Sequence, residues 1–143
     1  LIDYKTGKYT VSAQDWLKDR PKDMQLPLYH LIASKNGFDQ IVAVAIGHIH
    51  PEKISYSGLA ASSSFSDEIK PLGEENSPNL NWEQIIQYWS DKVQQIAADF
   101  NAGVCNVNPI DTGKTCTYCG LQALCRIQEM SDSDIHAPEG ENN

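Results

Sequence analysis

The sequence predicts an α/β fold, a central mixed sheet flanked by helices, on three observations. A short apolar strand opens the chain at Leu1-Ile2. A β-branched run from Gln40 to Ile49, a Pro51-Glu52 turn and a second extended run form a hairpin pattern. Segments of helical periodicity fill much of the rest, the longest spanning residues 81–101. At 143 residues the chain suits one domain with a real core.

The first strand runs through Leu1-Ile2-Asp3-Tyr4-Lys5 and ends at Thr6-Gly7. Ser12 reads as the N-cap of a short helix, Ala13 to Lys18, stopped by Pro21. A second helix is expected from Lys22 to about Lys35, closed by Asn36-Gly37, with Leu28, Leu31 and Ile32 as its apolar face. Pro27 sits in its first turns, where a missing N–H is tolerated. Strands follow at Gln40 to Ile49 and Lys53 to Leu59, with His48 and His50 on one side of the first and read as surface or edge residues. Residues 61–79 are rich in Ser, Pro and Gly and read as a mobile loop. The long helix then carries Trp82, Ile85, Ile86, Trp89, Val93, Ile96, Ala97 and Phe100 on one stripe, read as core, and Gly103 ends it. Residues 104–115 read as loop, and 131–143 as a disordered acidic tail after a domain of 1–130.

Composition limits the choice of function. The longest wholly apolar run, Ile41 to Ile46, is far too short to span a membrane, so no membrane partner is expected. The net charge of -8 argues at first against nucleic acid. The charge is uneven, however. Glu129, Asp132, Asp134, Glu139 and Glu141 lie in a C-terminal stretch without Lys or Arg, whereas residues 1–22 hold five bases against three acids. The start of the chain is mildly basic and permits a DNA partner. Leu1 falls inside a strand, which is read as the mark of a C-terminal piece whose N-terminal part is missing.

Asp3 and Lys5 are the first candidate pair. Side chains two apart on a strand share a side, so a carboxylate and an ammonium project together. The carboxylate can hold a divalent cation, and the lysine can stabilise charge developing on a phosphate. Gln25 and Tyr29, four apart, share a face of the second helix. A third group is Cys116-x2-Cys119-x5-Cys125 within segment 116–126. Nothing marks the chain as secreted, which disfavours disulfides. A metal or cluster site of open identity remains. Either zinc takes Cys105 as fourth ligand, or a cluster draws its fourth thiolate from elsewhere.

Taken in order, Ile2-Asp3-Tyr4-Lys5-Thr6-Gly7, Gln25-Leu-Pro-Leu-Tyr29 and Cys116-x2-Cys119-x5-Cys125-Arg126 resemble the RecB-type nuclease domain of the PD-(D/E)XK superfamily. The likeness is to its iron–sulfur branch in AddB-like bacterial DNA-repair proteins. It implies a restriction-endonuclease-like core, cytoplasmic, acting on DNA as an exonuclease-like hydrolase in repair or recombination. Asp3 would be a metal ligand, the Tyr4 backbone carbonyl part of the metal shell, and Lys5 the catalytic lysine. Gln25 and Tyr29 would lie beside the active site and place the DNA strand. The cofactors implied are Mg²⁺ or Mn²⁺, and a [4Fe-4S] cluster with Cys116, Cys119 and Cys125 as three of its four ligands. Cys105 is not at a position this pattern uses. A helicase domain or subunit of the same repair system is the implied partner.

The family places another carboxylate and the first cluster cysteine upstream of the Asp3 strand, so this chain is expected to be inactive alone. Two other readings compete. One is a non-catalytic DNA-binding or scaffold domain of a repair complex, and the other is a zinc-stabilised interaction module.

Overall fold

The computed structural model describes residues 1–7, 12–62, 68, 69 and 80–129. Of the expected loop of residues 61–79, only 61, 62, 68 and 69 fall among them, and the acidic tail lies outside them. The chain divides into two compact units, Leu1–Ala98 and Asp99–Asn143.

In the first unit, β1 (Ile2–Lys5) is followed by a 3₁₀ turn (Ala13–Leu17), helix α1 (Gln25–Lys35), strands β2 (Ala43–His50) and β3 (Lys53–Ala60), and helix α2 (Trp82–Ala102), which runs on into the second unit. The strands lie in the order β1-β2-β3. β1 pairs parallel with β2, placing Asp3 opposite Ile46 and Lys5 opposite His48. β2 and β3 form an antiparallel hairpin in which Ile46 faces Ser57 and His48 faces Ser55. This is the mixed sheet that the sequence predicts.

Strand alternation gives the sheet two faces. Val44, Ile46 and Leu59 point to one, where Ala13 and Trp16 of the 3₁₀ turn, Leu26 of α1, and Ile85 and Trp89 of α2 complete the main core. Ala43, Ala45 and Ala60 point to the other, where Ile69 covers them. Both long helices therefore contribute to one face of the sheet. Small residues on the second face let other groups close in. The rings of Tyr4 and Tyr56 come close enough to Gly47 that a Cβ there would stand 2.9 Å from the first and 3.2 Å from the second.

Three indole and phenol groups tie α2 to the segments below it. Trp89 Nε1 donates to the Trp16 carbonyl at 3.2 Å, Tyr88 OH to the Lys18 carbonyl at 2.7 Å, and Trp82 Nε1 to the Ile41 carbonyl at 3.0 Å. Lys92 adds an ion pair with Asp19. Aromatics with a polar tip seek such partners; the bonds of Trp89 and Tyr88 and the Lys92 ion pair hold the 13–20 segment, and that of Trp82 holds the start of the hairpin.

Several expectations are corrected. The first short helix is a 3₁₀ turn, although Ser12 caps it as expected, accepting from Gln14 N. α1 starts at Gln25 rather than Lys22, because Asp23 turns its carboxylate back onto Gln25 N at 2.8 Å and sets the helix start there. Its buried residues are Leu26, Pro27 and His30, whereas Leu28 and Ile32 are exposed and Leu31 is half-buried. The apolar stripe of α2 reaches the core only through its first half: Ile85 and Trp89 are fully buried, but Ile96 is 50% and Phe100 84% exposed. His48 is buried rather than at the surface. β2 begins three residues later than expected, and β3 ends one residue later.

The second unit holds two short helices, α3 (Thr112–Thr115) and α4 (Gln122–Cys125), and a 3₁₀ turn (Ile127–Glu129). The expected loop 104–115 thus contains α3, capped by Asp111 accepting from Lys114 N. Gly103 closes α2 with a positive φ of 71°, as its lack of a Cβ permits.

Candidate active site

Strand β1 supplies the first two residues. Asp3 and Lys5 are the half-buried members of an alternating strand, and both point to the helix-covered face. Lys5 Nζ stands 2.8 Å from Asp3 Oδ2 and donates to Gln25 Oε1 at 2.7 Å. Gln25 Nε2 in turn donates to Tyr29 OH at 2.9 Å. Four residues from a strand and a helix are thus joined head to tail: Asp3, Lys5, Gln25, Tyr29. The helix pair meets as expected, since residues four apart share one face. All four catalytic candidates are together.

Lys5 is held as an ammonium. Its pKa is raised first by the hydrogen-bonding approach of Asp3, against the opposing pull of desolvation, with the charges of Asp3, Asp23 and Tyr29 adding smaller increments. Asp3 is less well served. Its buried Oδ2 meets the Lys5 ammonium at 2.8 Å and has no other hydrogen-bond partner among the described residues. A carboxylate whose buried oxygen has a single ammonium for a partner can also serve as a ligand for a hard cation. Magnesium keeps several waters and takes only one or two protein carboxylates, so this donor set fits a partly hydrated ion at Asp3. Among the described residues no three His, Cys, Asp or Glu side chains converge on one point.

Sequence reasoning gave no site role to four residues found here. Trp16, Asp23, Leu26 and Ile46 line the small hollow shared by Asp3, Lys5 and Gln25. Trp16 supplies an apolar wall. Asp23 fixes the start of α1, and with it Gln25, while adding negative charge near Lys5. Its signal was available: an Asp two residues before a helix can accept from the first N–H of that helix, as Asp23 does from Gln25.

The cysteines behave differently. Cys105, Cys116, Cys119 and Cys125 are all free thiols. Cys116 closes α3 and Cys125 ends α4, its Sγ near the Gln122 carbonyl. They do not form a three-ligand group, so as placed they fit neither a zinc site nor an iron–sulfur cluster. No helix among the described residues is long and apolar enough to cross a membrane.

No match was found among curated proteins or among solved structures. The family model for the PD-(D/E)XK nuclease superfamily matches residues 1–126, which takes in the strand, the helix pair and the cysteine segment together. With its Asp-x-Lys strand on a mixed sheet and the lysine anchored by a neighbouring helix, the chain belongs to the PD-(D/E)XK nuclease superfamily.

Proposed function

We propose that the chain carries the lysine-bearing half of a deoxyribonuclease site that hydrolyses phosphodiester bonds with Mg²⁺ or Mn²⁺. The observation that carries this reading is the joined set Asp3–Lys5–Gln25 on the sheet face. Asp3 and the Tyr4 carbonyl would hold the cation, which would supply an activated water and stabilisation for the oxygen leaving phosphorus. Lys5 offers its ammonium to the negative charge that grows on the phosphate in the transition state. Gln25 keeps that ammonium aimed, and Tyr29, 43% exposed at the end of the chain of bonds, meets the DNA strand.

The finer kinship, to RecB-type and AddB-like proteins, is supported by the Gln25–Tyr29 spacing and the order of the cysteines. It carries an exonuclease-like role in DNA repair or recombination, in the cytoplasm, beside a helicase domain or subunit. On this reading the cation takes a second carboxylate beside Asp3, and we infer that the 143-residue chain is inactive without it. A [4Fe-4S] cluster would need Cys116, Cys119 and Cys125 drawn together with a fourth ligand. Elemental analysis tests this: iron with sulfide supports the cluster, one zinc per chain supports the interaction module, and neither leaves free thiols.

The central test uses the full-length native protein, purified without oxygen, on linear DNA with Mg²⁺. The expected result is degradation that Asp3→Ala and Lys5→Ala both abolish, with no degradation by the 143-residue chain. DNA binding without degradation in any version would overturn the nuclease reading in favour of the scaffold.

A further inference from the structure

One buried polar group on the site face has no place in the mechanism above. His48 is the register partner of Lys5 on one side and of Ser55 on the other, so the three stand in one row across strands about 4.8 Å apart. The residue is only 8% exposed, and both Nδ1 and Nε2 are buried with no hydrogen-bond partner among the described residues. Even Ser55, opposite it, supplies none. Buried polar atoms are paired in the great majority of cases, and leaving an imidazole unpaired is unfavourable. An apolar side chain would serve the fold better. A group that burdens the fold, beside the catalytic lysine, is explained by a partner present in a different state of the site.

Asp3 defines that state. Lys5 divides its ammonium between Asp3 Oδ2 and Gln25 Oε1. A divalent cation on the Asp3 carboxylate competes with the ammonium for that charge and repels it at short range. Lys5 then keeps Gln25 and needs a second acceptor. Its neighbour in the row is His48, whose ring in the neutral form has one nitrogen free to accept.

We propose that His48 is a positioning residue for Lys5, accepting its ammonium when a divalent cation occupies Asp3. The proposal rests on the nuclease reading. An ammonium has three donors. With one on Gln25 and one on His48, the third is directed at the phosphate. In the structure the lysine is turned toward Asp3 and Gln25.

The test compares full-length native protein with His48→Leu, His48→Gln and Lys5→Met versions. His48→Leu is expected to melt at the same temperature or higher, because it removes two unpaired nitrogens, while kcat falls about tenfold or more with KM for DNA unchanged. His48→Gln restores an acceptor and recovers part of the loss. Independently of turnover, protein labelled with ¹⁵N-histidine is titrated with Mg²⁺ without DNA. The His48 ring resonances are expected to move in the native protein and to stay still in Lys5→Met. A ring indifferent to Mg²⁺, a His48→Leu protein with native kcat, or one that loses melting temperature along with kcat would each overturn the proposal. Absence of Mg²⁺-dependent cleavage in the native protein overturns the nuclease reading instead, and the ring titration tells the two failures apart.

Discussion

Lys5 Nζ donates to Gln25 Oε1 at 2.7 Å, a bond that joins the edge strand of the described sheet to the first residue of α1 across 20 residues of sequence. It settles the direction of a long, flexible side chain that would otherwise sample many rotamers. Gln25 in turn is fixed at both ends, by Asp23 at its backbone N–H and by Tyr29 at its side chain. The aim of the ammonium therefore depends on the start of a helix.

Gln25→Ala should release that aim while leaving the fold intact. The lost bonds are partly exposed, so stability should change by about 1 kcal/mol or less. A misdirected lysine costs more in rate, about 10- to 100-fold in kcat. Steady-state kinetics beside a melting curve checks both. Equal losses in rate and melting temperature would show that Gln25 serves the fold and not the lysine.

His30 makes the fold sensitive to acid. It is buried on α1, edge-on to Trp82 and Trp89 with ring centroids 6.1 Å and 5.8 Å away. Desolvation lowers its pKa from 6.5, with the Ile41 carbonyl opposing. The folded state thus binds a proton less readily than the unfolded chain. The stability that neutral His30 contributes is complete above the unfolded pKa of 6.5 and is lost as pH falls toward the lower folded value. Urea unfolding at pH 7.5, 6 and 5 should show this decline, at no more than about 1.4 kcal/mol per pH unit from one group. His30→Met should flatten it.

Gly58 should tolerate no side chain. A Cβ there would stand 2.4 Å from the Val44 carbonyl oxygen and 2.7 Å from Ala45 Cβ, and a strand backbone in mid-sheet cannot retreat. Gly58→Ala should destabilise by about 1–3 kcal/mol, as overpacked cores do. Gly47→Ala should cost less, because its nearest neighbours are the ring edges of Tyr4 and Tyr56. Denaturant midpoints for the two variants decide it.

Much of the site was legible because its geometry is local. Period two puts Asp3 and Lys5 on one side of a strand, and a spacing of four puts Gln25 and Tyr29 on one face of a helix. The bond between the pairs is tertiary, and no local rule gives it. His48 was misread for the same reason: alternation says which side it takes but not that Lys5 and Ser55 flank it beneath a packed layer. On α1, apolar residues at 26, 27, 28, 31 and 32 surround most of the helix, so periodicity alone could not choose the buried face. The stripe of α2 is continuous in sequence, yet Ile85 and Trp89 are buried and Ile96 and Phe100 are not, because the helix outruns the core it covers. Ligand spacing among the cysteines showed which thiols are near in sequence and nothing about convergence.

Metal should stabilise the protein through Asp3, before any DNA is present. Its Oδ2 is buried with the Lys5 ammonium as its one partner among the described residues, and a divalent cation on the carboxylate would add a second, stronger attraction. A ligand that binds only the folded state adds stability by mass action, about 2.7 kcal/mol at 100 times its dissociation constant. Melting temperature should therefore climb with Mg²⁺ in the full-length native protein. Asp3→Asn keeps the shape but removes the charge, so its melting temperature should not respond. The same substitution frees Lys5 from the main cause of its raised pKa. A lysine label that titrates lower in Asp3→Asn than in the native protein would confirm that the two residues are paired in solution. An Asp3→Asn protein that still gains stability from Mg²⁺ would place the cation elsewhere.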